Sequence, residues 1–141
     1  MEKQLYGLSV CEKLEKLIRV PSTTPPGEVS GVVELLANFA EKTGAALERQ
    51  EVLPGQENCI LTYDFGAGKT LVFNTHMDVN NPAGQRWSFE PFNPFQKDGK
   101  IFGMGACDAS SVTGSGDAGG EEDGDEDEGE GGGCVETTWG E

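Results

Sequence analysis

Residues 71–108 read LVFNTHMDVNNPAGQRWSFEPFNPFQKDGKIFGMGACD. Leu71, Val72 and Phe73 form a continuous apolar run, the pattern of a strand buried on both faces of a sheet. His76, the only histidine of the chain, follows that run, and Asp78 comes two residues later. A side chain at the carboxyl end of a buried strand is held rigidly and faces the crevice where α/β proteins place ligands. Neutral imidazole is a good zinc ligand, and a carboxylate close by can hold the ring's other nitrogen in the right tautomer. His-x-Asp alone is a weak signal, because a hydrogen-bonded histidine beside a loop carboxylate reads the same way. A second candidate ligand, Asp108, follows Gly103-Met104-Gly105-Ala106-Cys107, a tight turn able to bring it back toward the strand end. Between the two, residues 79–98 form a long connection carrying Trp87, Phe89, Phe92 and Phe95 among three prolines. Such loops in compact domains are usually functional or packed over a site, and Trp87 and Phe92 read as a packed lid rather than as substrate contacts.

The sequence before this stretch supplies helices first and strands second. Val10, Cys11, Leu14, Leu17 and Ile18 share one helical face, with Glu12, Lys13, Glu15 and Lys16 on the other. Pro21 ends that helix, because the residue before a proline is pushed out of the α region. After the STTPPGE loop (22–28), Val29, Val32, Val33, Leu36, Phe39 and Ala40 mark a second amphipathic helix, and Gly44 is placed as its stop. Ala45 to Leu53 alternates loosely, Pro54-Gly55 makes a turn, and Asn58 to Phe65 is rich in strand formers. Lys100-Ile101-Phe102 reads as a short strand. Two helices followed by strands predict an α/β fold with the helices packed on a mixed sheet.

The 141 residues allow one ordinary domain. Residues 1–110 carry 14 acidic and 10 basic side chains, whereas residues 111–141 carry 11 acidic and no basic ones. The globular part is only mildly acidic and lacks the clustered Lys and Arg of a nucleic-acid surface. Segment 111–141 contains 10 glycines and five apolar residues, too little to offset its chain entropy, so it is expected to be a disordered acidic tail. Cys11, Cys59, Cys107 and Cys134 show no zinc-knuckle or disulfide-scaffold spacing and read as reduced thiols of a cytoplasmic protein. The first twenty residues do not read as a signal peptide, and no apolar run in this sequence reaches membrane-spanning length.

The longer context of His76 adds a resemblance. His76-x-Asp78-Val79, then Trp87 and Pro91-Phe92, then Asp98-Gly99-Lys100, Phe102, Gly103, Gly105 and Asp108 resemble peptidase family M20. This family of metal-dependent peptidases and deacylases includes acetylornithine deacetylase, succinyl-diaminopimelate desuccinylase and carboxypeptidase G2. Ile18-Arg19-Val20-Pro21-Ser22 with Thr24-Pro25-Pro26-Gly27 resembles the family's opening helix and loop. The resemblance runs from Leu5 to Asp108 and implies a zinc-exopeptidase-like catalytic domain with two divalent metals, usually zinc, with cobalt as a substitute. It implies that His76 binds one metal, that Asp78 orients His76 and serves catalysis, and that Asp108 bridges both metals. The family reaction is attack of an activated water on the amide of an N-acyl amino acid or peptide, with a glutamate as general base.

The chain departs from the family after Asp108. Ala109-Ser110-Ser111 stands where the family continues with Lys-Gly. Glu121-Glu122 lies too close and without a preceding strand to be the family's glutamate pair, no histidine follows His76 in these 141 residues, and no segment of them reads as the lid domain that mediates dimerisation in the family. Two ligands do not close a zinc site, which usually takes three plus water. The expectation is therefore a truncated or frame-shifted N-terminal piece (1–110) of a zinc-dependent amidohydrolase followed by the acidic tail (111–141), inactive by itself and not holding zinc stably. The alternative is a non-catalytic remnant domain with a disordered acidic interaction tail.

Overall fold

The computed structural model of the protein describes residues 5–108 and the backbone of residues 131–138. In chain order its elements are α1 (Val10–Ile18), β1 (Thr23–Thr24), α2 (Ser30–Thr43), β2 (Ala46–Leu53) and β3 (Gln56–Tyr63). They continue with β4 (Lys69–His76), β5 (Val79–Asn80), β6 (Phe95–Lys97), β7 (Lys100–Phe102) and β8 (Gly131–Thr138). This is the expected α/β class.

Local chemistry sets the helix ends. Ser9 opens α1 with a capping box: its hydroxyl accepts from the Glu12 amide, and the Glu12 carboxylate accepts from the Ser9 amide at 2.9 Å. Two orphan donors are thus satisfied reciprocally. Gly44 closes α2 in the left-handed conformation, as its position predicts.

The main sheet has the order β2-β3-β8-β4. β2 and β3 form an antiparallel hairpin around Pro54-Gly55, and β8 runs antiparallel to β3 and parallel to β4. Along β3, Glu57, Cys59 and Leu61 are buried in alternation, the period of a strand with one face on a core. The core combines Val29, Val33, Leu36 and Phe39 around α2 with Cys59 and Leu61 of β3, and with Met77 just past β4. Burying side chains of this size contributes on the order of 1.5–3 kcal/mol each. Above the hairpin, Arg49 donates to both oxygens of Glu57, at 2.7 and 2.8 Å, and to Glu34 at 2.9 Å. These bonds to Arg49 hold the Glu57 carboxyl below the ordinary glutamate range.

Some expectations need correction. Leu71, Val72 and Phe73 lie in β4 as expected, but they are 59, 55 and 47% exposed rather than buried on both faces. α2 lies over β2 and β3, and among the described residues β4 lacks equivalent cover. Lys13, read as part of the solvent face of α1, is 4% exposed. Its long stem runs along apolar surface, and its ammonium lies 5.3 Å from the centre of the Phe39 ring. Val10 and Cys11, read on the apolar face, are exposed instead. Finally, Gly131–Thr138, expected to be unstructured, forms β8, paired on both sides. The ladder is made of backbone groups, which a count of apolar side chains does not register. The rest of the acidic segment, with Glu121 and Glu122, lies outside the described residues. Among the described residues no helix is long and apolar enough to cross a membrane.

Candidate metal centre

His76 ends β4, and the chain then turns through Met77 and Asp78 into β5. This turn is held from one side by the segment before α2. β1 pairs with β5 in parallel, Thr23 opposite Val79 and Thr24 opposite Asn80. The buried Ser22 hydroxyl donates to the Met77 carbonyl at 2.8 Å, and the Val79 amide donates to the Ser22 carbonyl at 2.9 Å. Asp78, only 8% exposed, lies between those two bonds. Its Oδ2 accepts from the Thr24 hydroxyl at 2.9 Å.

The ring of His76 is oriented by the same residue. Nδ1 lies 2.9 Å from the Asp78 carbonyl oxygen and 3.2 Å from Asp78 Oδ1. Both of these oxygens can only accept when the carboxyl is ionised, so Nδ1 must carry the proton and donate. In the neutral ring the lone pair then sits on Nε2, which lies 3.6 Å from Asp108 Oδ1. Two acceptors facing each other at that separation suit a cation between them, or a proton on the ring.

Asp108 is delivered by the long connection. Asp98 and Gly99, both at positive φ (51° and 70°), form the two-residue turn of the β6–β7 hairpin. This is the Asp-Gly signature of a type I′ turn. Phe95 and Phe102 pair across the hairpin with stacked rings 5.0 Å apart, and Phe89 meets both edge-on. Trp87 packs edge-on against Phe89 at 5.6 Å, so this aromatic set is a hairpin core of its own. Gln96 donates to Glu15 at 2.8 Å and Arg19 to the Pro94 carbonyl at 3.4 Å, tying the hairpin to α1. After β7 the chain turns at Gly103, the Met104 amide donates to the Pro91 carbonyl at 2.7 Å, and the Asp108 amide donates to the Gly105 carbonyl at 3.0 Å. A cleft of about 770 Å³ opens beside Asp108, with Leu14, Trp87, Phe89 and Phe102 on its walls.

The donor set fits two positions of a zinc shell. Two ligand atoms, each about 2.0–2.2 Å from a tetrahedral zinc, stand roughly 3.3–3.6 Å apart. The 3.6 Å between His76 Nε2 and Asp108 Oδ1 is of that size. Among the described residues no group of three or more His, Cys, Asp and Glu is arranged to hold a metal ion. His76 and Asp108 face each other as two candidate ligands, and Asp78 lies behind the ring on Nδ1 rather than in the ligand set. Ser22 and Thr24 were not singled out from sequence as site residues. The available signal was a hydroxyl run before two prolines, which reads as an ordinary rigid loop until β1 is seen beside β5.

No protein-family model matches the chain. Whole-protein relatives do. The chain is 34% identical over 104 residues to succinyl-diaminopimelate desuccinylase of a Nitratiruptor species, covering 74% of this chain and 27% of that protein. It is 40% identical over 101 residues to the enzyme of the same name from Delftia acidovorans (67% and 25%). Aminoacylase-1 of Sus scrofa matches at 32% over 100 residues (68% and 24%). Among solved structures, an M20 family metallo-carboxypeptidase from Sulfolobus solfataricus superimposes with a TM-score of 0.73 at 16% identity, over 93% of this chain and 30% of that one. The chain belongs to the M20 family of metallopeptidases and deacylases. It spans about a quarter of the length of the M20 relatives it matches. An aminoacylhistidine dipeptidase from Vibrio alginolyticus shares the fold at a TM-score of 0.68 and 14% identity, covering 97% of this chain and 29% of that one.

Proposed function

We propose that residues 1–110 form the His76–Asp78–Asp108 part of the metal centre of an amidohydrolase, one that removes the acyl group from an N-acyl amino acid or cleaves a dipeptide. The observation that carries this reading is the oriented ring: Nδ1 is occupied by Asp78, which leaves the Nε2 lone pair 3.6 Å from the Asp108 carboxylate. The relatives' names, desuccinylase and aminoacylase, point to amide bonds next to an amino acid. Zinc is the metal of choice for an imidazole and carboxylate pair. When bound, it supplies Lewis acidity toward an amide carbonyl and toward water. His76 and Asp108 would hold it, Asp78 would fix the His76 ring, and the cleft beside Asp108 would receive the substrate.

With two ligands placed, the chain by itself is expected to bind zinc weakly and to turn over no N-acyl amino acid. The activity is therefore tested in a complete setting. Residues 5–108 would replace the matching quarter of the Delftia acidovorans desuccinylase, and hydrolysis of N-succinyl and N-acetyl amino acids would be followed with zinc. The expected result is metal-dependent hydrolysis, lost in His76→Ala and in Asp108→Ala. A folded chimera that binds zinc through His76 yet hydrolyses neither of these N-acyl amino acids nor a dipeptide would overturn the reading.

A further inference from the structure

We propose that Thr24 is a positioning residue for His76, acting through Asp78: its hydroxyl fixes the plane of the Asp78 carboxylate, and that plane fixes which nitrogen of the ring faces Asp108. The two carboxylate oxygens have separate partners. Oδ2 accepts from Thr24 at 2.9 Å, and Oδ1 faces His76 Nδ1 at 3.2 Å. Rotation about the terminal bond of an aspartate is soft and roughly two-fold, so burial alone does not set the carboxylate plane. A hydroxyl bonded to an ionised oxygen does, because such charge-assisted bonds are stronger than neutral ones.

Ser22 and Thr24 divide the work on this short strand. The Ser22 hydroxyl and carbonyl both go to backbone groups, Met77 O and Val79 N, and these bonds with the β1–β5 pairing already hold the two segments together. The Thr24 hydroxyl goes instead to a side chain whose other oxygen touches the ring. With Thr24 in place, the Asp78 carbonyl and Oδ1 present two acceptors to one nitrogen, which favours the Nδ1–H tautomer and leaves Nε2 as the ligand atom. Without it, Oδ2 loses this donor and the carboxylate plane is less firmly set, while the carbonyl at 2.9 Å continues to favour the same tautomer.

The test uses the full chain and two readouts. Long-range 15N–1H spectra at a pH where the ring is neutral report the His76 tautomer without metal. Calorimetric titration with zinc chloride reports affinity, and only this arm rests on the metal-centre reading above. Thr24→Val keeps the β-branched shape and deletes the donor. It is expected to introduce a measurable Nε2–H population and to weaken zinc binding by about tenfold, the lower end for loss of a partner behind a ligand. Thr24→Ser should restore both. Thr23→Val and Ser22→Ala should leave the tautomer as in the wild type, although Ser22→Ala lowers stability. If Thr24→Val loses the wild-type amide fingerprint, Thr24→Ser against Thr24→Ala carries the same comparison. A tautomer and a zinc affinity unmoved by loss of the Thr24 hydroxyl overturn the proposal. Where the wild-type chain takes up too little zinc to measure, the affinity comparison is made in the desuccinylase chimera; there, zinc uptake indifferent to His76→Ala, with a tautomer that does follow Thr24, leaves the positioning role standing and sinks the metal-centre reading instead.

Discussion

Gly103 lies directly against Ile18: a Cβ built on Gly103 would come within 2.8 Å of Ile18 Cγ2 and 3.3 Å of Pro94 Cβ. Ile18 is the last residue of α1 and only 3% exposed, so its branched side chain has no room to withdraw. The turn that carries Asp108 is thereby seated on the end of the first helix. This close approach links the opening helix to the candidate metal centre, far apart in sequence.

Gly103→Ala is therefore expected to destabilise the chain by about 1–3 kcal/mol, the usual cost of forcing a methyl into a packed contact. The same shift would move Asp108 away from His76. Urea unfolding followed by circular dichroism measures the first effect, and zinc titration the second. A variant as stable as the wild type, with unchanged zinc affinity, would show that the contact is slack.

The Arg49–Glu57 pair makes a pH prediction. The bonds from Arg49 lower the folded-state pKa of Glu57. A depressed carboxylate contributes stability above its unfolded pKa of about 4.3 and loses it as pH falls through the folded value. Glu57→Gln, or Arg49→Met, should thus be destabilised relative to wild type at pH 7 by about 1–3 kcal/mol, as for loss of a charged hydrogen bond. The difference should shrink below about pH 4. A gap between wild type and Glu57→Gln that stays constant from pH 7 to pH 3 would contradict this assignment.

Cys59, fully buried on β3, has its thiol pushed up to about 11, chiefly by burial. Since the thiolate is the reactive form, iodoacetamide at pH 8 should leave Cys59 unmodified in the folded chain while labelling the exposed Cys11 and Cys107. In urea Cys59 should react as well. Peptide mass mapping decides it, and rapid labelling of Cys59 in the native chain would mean that the α2–β3 core opens readily.

How much of this is legible in the sequence depends on the scale of the signal. Both helices and the stop at Gly44 follow from periodicity and capping, which act within a few residues. The grouping of His76, Asp78 and Asp108 is legible from spacing and resemblance together, whereas the contact of Thr24 with Asp78 is not, because it depends on β1 lying beside β5. The charge of Lys13 suggests solvent, while its stem and the Phe39 ring decide otherwise. For Leu71, Val72 and Phe73 the sequence pattern is right about the strand and wrong about its burial. Composition reports what a side chain would prefer, not whether a covering layer exists in the described residues.

The strand least visible in the sequence gives the last prediction. β8 begins Gly131-Gly132-Gly133, and glycine is depleted in strands because it brings no side chain and loses the most backbone freedom. What favours the strand is its place: it joins β3 through Cys59–Tyr63 on one side and the whole of β4, Lys69–His76, on the other. Without β8, both β3 and β4 present unpaired backbone groups, and Leu71, Val72 and Phe73 already lie open at the surface. An exposed edge with apolar side chains is a template for pairing with another chain. A chain ending at residue 110 is accordingly expected to associate more strongly than the full chain, in a concentration-dependent way that sedimentation velocity would register. Amides of Cys134 to Thr138 should exchange slowly with deuterium in the full chain, in step with those of β3. Fast exchange across residues 131–138, together with a monomeric 1–110 chain showing a sharp thermal transition, would mean that β3 and β4 need no strand between them.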